Sequence, residues 1–328
     1  MYNNKLITII VLSYNSMSYI YDSLLSILNQ KHQMIELIIA DDASVDFDQD
    51  KIKKYIESNK KDNLLSYTIF KNIVNLGTVK NLNNAIKHAN GDYICVIAAD
   101  DVFYDNNVFS GFIQRFDQEN ECELIVGNIL SCDAFLNVIE NPRATLSNIL
   151  TARLLRCEPN TIIRTVFRRN LVFIPTQSCC FRKTFFSKHG FYDERYLLME
   201  DLPMMLRIIT KQIKISHLNA YVVMHREGTG MSSTKEVISA KSYKYYLDIL
   251  RFFTEEVSVY GNNVGRSLVS NRIKMYKFRI EYSKALIQKK KIIYKLLLMI
   301  KNMFTIFYYL IIVKNRDISN KKLLRKSI

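Results

Sequence analysis

Of the five pairs of adjacent acids in the chain, three stand at the ends or starts of patterned segments: Asp41-Asp42, Asp100-Asp101 and Glu200-Asp201. A carboxylate can accept a hydrogen bond from a ring N–H or a hydroxyl. It can also hold a hard divalent cation together with other oxygens, or take a proton from a hydroxyl about to attack. The first pair directly follows the short apolar run 36–40, the second follows the run 93–98 after Ala99, and the third opens a stretch of helical period at 202–210. A lone histidine, His225, follows the run 220–224 and precedes Arg226 and, further on, Ser232-Ser233. Plainer readings exist for each: Asp and Ser as turn caps, exposed turn aspartates, acids in a first helical turn for dipole reasons, and a core or surface histidine.

The elements that must position these residues are legible in the hydrophobic pattern. Residues 6–12 form a continuous apolar, largely β-branched run, as expected of a strand covered on both faces. Ile20, Leu24, Ile27 and Leu28 recur at helical spacing, and the second strand at 36–40 follows. A helix near 49–59 and a strand at 65–70 come next. The period returns at 78–89 through Val79, Leu82, Ala85, Ile86 and Ala89, with Gly91 reading as a C-cap glycine. The strand at 93–98 completes a strand–helix alternation that calls for a parallel sheet with right-handed crossovers. Ligands of such sheets bind beyond the carboxyl ends of the strands, where two of the acidic pairs stand. Further on, 123–127 and 220–224 read as strands, 183–189 and 202–210 as helices, and 235–260 and 264–313 as helical.

Composition narrows the partners. Residues 1–264 carry 29 basic and 29 acidic side chains, whereas residues 265–328 carry 17 against 2, so the whole excess of +15 lies in the tail. Such a tail seeks anions. Its aromatics sit among aliphatics rather than on a basic face, which speaks against nucleic acid. The longest charge-free run there, 302–313, falls short of the roughly 20 residues of a spanning helix. Lysine clusters beside Phe304, Phe307, Tyr308 and Leu310 suit an interfacial helix on an anionic membrane. A helix packed on the rest of the protein would bury the same residues. The six cysteines include no Cys-x-x-Cys pair, which suits reduced thiols, and the N-terminal apolar run is too short for a signal peptide. A cytoplasmic protein, peripheral at the inner face of the membrane, is the expectation.

From about Leu6 to Ser233 the sequence resembles family 2 glycosyltransferases of the GT-A fold, bacterial surface-polysaccharide type. The segments that carry the likeness occur in family order: Val11-Leu12-Ser13-Tyr14-Asn15, Glu36 through Ser44, Asn75-Leu76-Gly77, Ala89 through Ile94 and Asp100-Asp101. Phe181-Arg182-Lys183, Gly190 through Glu194 and Glu200-Asp201 follow. The resemblance implies an α/β, Rossmann-like, mostly parallel nucleotide-sugar-binding domain over 1–233, with a helical, strongly basic C-terminal region over 234–328.

It also implies roles. Asp42 is then the nucleoside-binding acid, with Asp41 the poorer choice and the small Ala43 letting the backbone approach the base. Asp100-Asp101 matches the family's metal motif in its Asp-Asp variant, though Ala98-Ala99 stand where relatives often have a third acid. Asp101 is the metal ligand and Asp100 faces the ribose or a water. Asp101 is expected at the surface edge, contributing little to the core. Leu12, Tyr14 and Lys80 join the donor site, Lys80 standing near the place where relatives carry an arginine. Asp201 is the catalytic base. His225 contacts the metal or the diphosphate, and Arg226 either contacts a phosphate or lies on a solvated face.

The implied reaction is inverting transfer, assisted by Mn2+ or Mg2+, from a nucleotide-sugar donor, a UDP-sugar for preference, to a saccharide or lipid-linked saccharide. Polysaccharide or capsule assembly would be its setting. Two rivals remain. A nucleotidyltransferase would need a Gly-rich phosphate loop near the first strand, absent from Val11-Leu12-Ser13-Tyr14-Asn15. An inactive scaffold of the same fold would have no need of Asp42, Asp101 and Asp201 together.

Overall fold

The computed structural model describes residues 5–171, 173–229 and 242–327. The segment holding Ser232, Ser233 and the expected boundary at 233/234 lies outside them.

Strands and helices alternate through the first third: β1 (Ile7–Ser13), α1 (Ile20–Leu28), β2 (Ile35–Asp41), α2 (Gln49–Asn59), β3 (Leu64–Lys71), α3 (Thr78–His88) and β4 (Tyr93–Ala98). The first two strands and β4 are buried almost throughout, the consequence of apolar side chains on both faces. A short β5 (Val102–Phe103) and α4 (Val108–Gln118) follow, then β6 (Leu124–Cys132), α5 (Pro142–Leu154) and α6 (Pro159–Arg169). Next come β7 (Cys179–Arg182), α7 (Thr184–His189), α8 (Asp201–Thr210) and β8 (Ile215–Arg226). One sheet takes all eight strands in the order β3-β2-β1-β4-β7-β6-β8-β5. Its first four are parallel, β6 and β8 are parallel, and β7 and β5 run against their neighbours.

Two glycines mark places where backbone segments approach closely. Gly77 has φ +85°, and a side chain there would meet the backbone oxygen of Leu197 at 2.5 Å. Only glycine tolerates both conditions. Gly91 is not a helix C-cap: α3 ends at His88, with Ala89 in extended backbone. Gly91 instead lies against β1, its N–H donating to Thr8 Oγ1 at 2.8 Å, and a Cβ would come within 2.6 Å of the Thr8 nitrogen. Close approach, not a left-handed turn, is what requires glycine there.

The chain divides into two compact units, Met1–Glu140 with Ile174–Glu227, and Asn141–Phe173 with Gly228–Ile328. The second unit takes in α5 and α6, which no sequence boundary near 233 anticipates. It also contains α9 (Tyr243–Glu255), α10 (Gly261–Val264), α11 (Arg266–Ile287), α12 (Ile292–Lys301) and α13 (Met303–Ser327). Its small core sets Leu298 of α12 against Met275, Phe278 and Ala285 of α11, with Ile306 and Tyr309 of α13 beside them. The opposite faces are bare: Ile292, Ile300, Phe304 and Phe307 are each at least 64% exposed. No single helix among the described residues is long and apolar enough to cross a membrane. The pair Ile292–Lys301 and Met303–Arg325, bent by 66°, is so by length and composition.

Candidate active site

The carboxyl ends of β1, β2 and β4 meet at one edge of the first unit. Ser13 pairs with Asp41 and Leu12 with both Ala40 and Ala98. Backbone bonds carry the alignment past the strands: Asp42 N–H donates to Ser13 O at 2.9 Å and Ala99 N–H to Leu12 O at 2.8 Å. The loops after β1 and β2 are joined by Asn15 N–H donating to Ser44 Oγ at 2.7 Å. Asn15 and Ala43 both adopt left-handed backbone, at φ 52° and 65°. For an L-residue that conformation is unfavourable, and it occurs twice where the acids gather.

Asp41 is fully buried. Its carboxylate accepts from the Ser44 N–H at 2.8 Å and the Ser44 hydroxyl at 2.5 Å, closing the turn. Asp42, also buried, accepts from the backbone N–H groups of Leu76 and Gly77, each at 2.8 Å, and from Asn72 Nδ2 at 2.9 Å. A carboxylate offers about four acceptor positions, so the protein itself takes most of Asp42's capacity. Asn81 braces the arrangement by bonding Asn72 and the carbonyl of Ala40. These asparagines were not anticipated. Their clustering about Asn75-Leu76-Gly77 was the available signal.

The same turn receives the third acidic pair. Val79 N–H donates to Leu197 O at 3.2 Å, where Gly77 leaves room. Asn83 of α3 exchanges hydrogen bonds with the backbone of Tyr192 and donates to Glu194 at 3.0 Å. The 191–200 segment is thereby pinned to α3, and it ends at Glu200 and Asp201, the N-cap and first residue of α8. Both are partly buried. Burial first, then the adjacent Asp201 carboxylate, pushes the Glu200 carboxyl up to about 8.

Asp101 and His225 come together directly. Nδ1 of His225 lies 3.1 and 3.0 Å from the two carboxylate oxygens of Asp101, and the Arg226 N–H donates to the same group at 2.9 Å. Asp101 is 1% exposed, which corrects the expectation of a surface-edge carboxylate. It fastens the end of β8 to the end of β4. Burial alone would lower the His225 pKa, but the hydrogen bond and charge of Asp101 outweigh it and hold the ring up to about 9. Arg226 is corrected too. It is fully buried, donating to the Asp100 carbonyl at 2.6 Å, pairing with Asp22 and lying over the Tyr19 ring. A buried guanidinium of this kind organises the loop rather than facing a ligand.

Leu12 is partly exposed at the strand end, Tyr14 is exposed in the loop after β1, and Lys80 is exposed on the first turn of α3. Among the described residues no three His, Cys, Asp or Glu side chains stand together as a group that could hold a metal ion. Asp100 and Asp101 do bring two hard carboxylates to this edge, the second of them steadied by His225 Nδ1 and the Arg226 N–H. An open donor set of this type suits Mn2+ or Mg2+ completed by phosphate oxygens. The residues fit such an ion.

Fold and edge together define a GT-A domain: parallel strands delivering acids to one edge, with antiparallel strands completing the sheet. The pattern described as Glycosyl transferase family 2 matches residues 8–191, and the chain belongs to that family. A Haemophilus influenzae protein named as an uncharacterized glycosyltransferase is 33% identical over 138 residues, 42% of this chain and 52% of its own length. The chain thus spans about half of that relative. Glycosyltransferase GlyG of Streptococcus pneumoniae serotype 4 is 22% identical across 85% of this chain and 90% of its own. Among solved structures, the mannosyltransferase PcManGT from Pyrobaculum calidifontis, in complex with GDP-Man and Mn2+, has TM-score 0.59 at 14% identity, covering 99% of this chain and 86% of its own. S. aureus TarS 1-349 in complex with UDP-GlcNAc has TM-score 0.53 at 16% identity, covering 85% and 87%. At these identities the structures speak for the fold.

Proposed function

We propose that this chain transfers a sugar from a nucleotide-sugar donor to a saccharide acceptor, with inversion at the anomeric carbon. The observation that carries the reading is the shared edge: Asp42, Asp100-Asp101 and His225 gather beyond β1, β2 and β4, and Gly77 ties that edge to the Glu200-Asp201 segment. Asp42, with one acceptor position left, receives an N–H or hydroxyl of the nucleoside between Leu12 and Tyr14. Lys80 offers positive charge to the diphosphate. Asp100 and Asp101 would hold a divalent cation, with His225 beside it; that ion would neutralise the departing diphosphate. Asp201 takes the acceptor hydroxyl's proton as the new C–O bond forms and the bond to the donor phosphate breaks. Preorganised charge at the leaving group supplies much of the stabilisation.

Relatives and neighbours suggest the class of substrate. TarS binds UDP-GlcNAc and UDP, and the Bacillus subtilis relative TuaG is named for teichuronic acid biosynthesis. A UDP-sugar and a surface-polysaccharide acceptor, lipid-linked, are accordingly proposed here. The bare apolar face of α12 and α13, within a tail of 17 basic and 2 acidic residues, supports peripheral attachment to an anionic membrane from the cytoplasmic side. A thermal-shift panel of nucleotide sugars with and without Mn2+, followed by an assay for released nucleoside diphosphate, tests the reading. Stabilisation by a nucleotide sugar together with nucleoside diphosphate release supports it. Binding without release would leave an inactive scaffold, and release of inorganic pyrophosphate a nucleotidyltransferase.

A further inference from the structure

The second unit contains a basic cleft that the transfer reaction does not use. Arg164, Thr165, Arg168 and Arg169 of α6 face Arg316, Ser319 and Asn320 of α13 across a cavity of about 340 Å3, a volume suited to a small ligand. Arg164 and Arg168 are one helical turn apart, as are Arg316 and Asn320, so each helix turns one row of side chains to the cleft. The walls are braced. Arg169 donates to Asn320 Oδ1 at 3.1 Å and accepts from Asn320 Nδ2 through its carbonyl at 3.2 Å. Arg168 is fixed through Nε to the Val264 carbonyl at 2.8 Å.

Charge in this cleft is poorly balanced. Arg316 meets Asp317 at 3.0 Å. Among the described residues no carboxylate forms an ion pair with Arg164, Arg168 or Arg169. Arg272 lies behind, bonded to the Phe167 carbonyl at 2.8 Å. Its guanidinium is held below the ordinary value by burial first, with the positive fields of Arg316 and Arg143 adding to the effect. Lysines on a solvated face would tolerate such crowding. Converging guanidinium forks, with hydroxyl and amide donors between them, are the equipment for a multiply charged oxyanion.

We propose that this cleft binds a phosphomonoester or diphosphate group. The ligand is recognised by Arg164, Arg168, Arg169 and Arg316, with Thr165 and Ser319 supplying neutral donors. The cleft is lined by residues of the second unit alone, and its ligand does not depend on the transferase reading. Two sources share this chemistry, a soluble phosphate compound and a lipid headgroup. The latter suits the exposed Phe304, Phe307 and Leu310 earlier on α13.

The test uses the full chain. Calorimetric titration with inorganic pyrophosphate probes the soluble source. Sedimentation with vesicles carrying phosphatidic acid, against vesicles carrying phosphatidylglycerol at matched surface charge, probes the lipid source. Binding in either arm that weakens at least about tenfold per arginine in Arg164→Gln and Arg316→Gln supports the site. Pyrophosphate binding identifies a soluble ligand, and a preference for phosphatidic acid a headgroup. If a glutamine variant melts early, Arg164→Lys keeps the charge and should still lose most of the binding, because the planar fork is gone. Failure of the wild-type chain to bind pyrophosphate or prefer phosphatidic acid, or equal binding by the folded variants, overturns the proposal. Attachment to phosphatidylglycerol through the apolar face would survive that failure, and so would the transferase reading.

Discussion

Asp41 and Asp42 turn their carboxylates inward onto the amides of Ser44, Leu76 and Gly77, whereas Glu200 and Asp201 stand partly buried at the start of α8 with Glu200 pushed up to about 8. Both pairs belong to the same unit, and a single glycine turn connects them. The first pair is surrounded by donors, so its charge is satisfied before any ligand arrives and its role includes holding the turn. In the second pair two like charges are crowded, a condition that raises proton affinity and is typical of groups that exchange protons. A sequence shows two adjacent-acid motifs; hydrogen bonding makes one a brace, while burial and the neighbouring carboxylate raise the proton affinity of Glu200 in the other.

Asp201→Asn tests that contrast most sharply. Turnover should fall by about 10²–10⁴-fold, the usual worth of a positioned base, while donor affinity and melting temperature stay near wild type. Steady-state kinetics beside a donor-binding titration decides it, and a collapse of donor affinity would move Asp201 to the donor site.

Asp42→Ala should behave in the opposite manner. It leaves the Leu76 and Gly77 amides and Asn72 without their acceptor, so the folded state should lose about 3 kcal/mol in addition to donor binding. Denaturant unfolding checks this. A fully stable variant would mean that the brace is dispensable and that only ligand contact matters at Asp42.

The pH dependence of stability separates the pairs again. The folded chain binds a proton at Glu200 that the unfolded chain releases at the ordinary glutamate pKa. Stability therefore falls as pH rises from that range towards about 8. Glu200→Gln should flatten this slope and leave the variant more stable than wild type at the alkaline end. Chemical denaturation midpoints across the window measure it, and an unchanged slope would assign the effect elsewhere.

The smallest expected effect concerns Ala43, held at φ 65° between the Asp42 brace and Ser44. Ala43→Gly should relieve left-handed strain and stabilise the fold by about 1 kcal/mol, less the flexibility that glycine adds to the unfolded chain. Thermal melting suffices. Destabilisation would show that the loop is not strained.

Much of this was open to reading along the chain. Buried parallel strands betray themselves by unbroken apolar runs, so β1, β2 and β4 and the acids at their ends were placed from local pattern alone. The alternation with α1, α2 and α3 then implied a common edge. The basic tail was plain from counting, because formal charge does not depend on folding. The antiparallel β7, only four residues long, and the membership of α5 and α6 in the second unit were not legible, since both depend on partners distant in sequence. Arg226 and Asp101 illustrate the limit best. Either side chain could lie in water or in the interior, and only the pairing of β5 with β8, which brings Arg226 to Asp22 and Asp101 to His225, buries both. Periodicity records which face of an element is apolar. Where a polar group goes is settled by the donors and acceptors that tertiary structure brings within reach, because an ionised side chain enters the interior only when they meet it there.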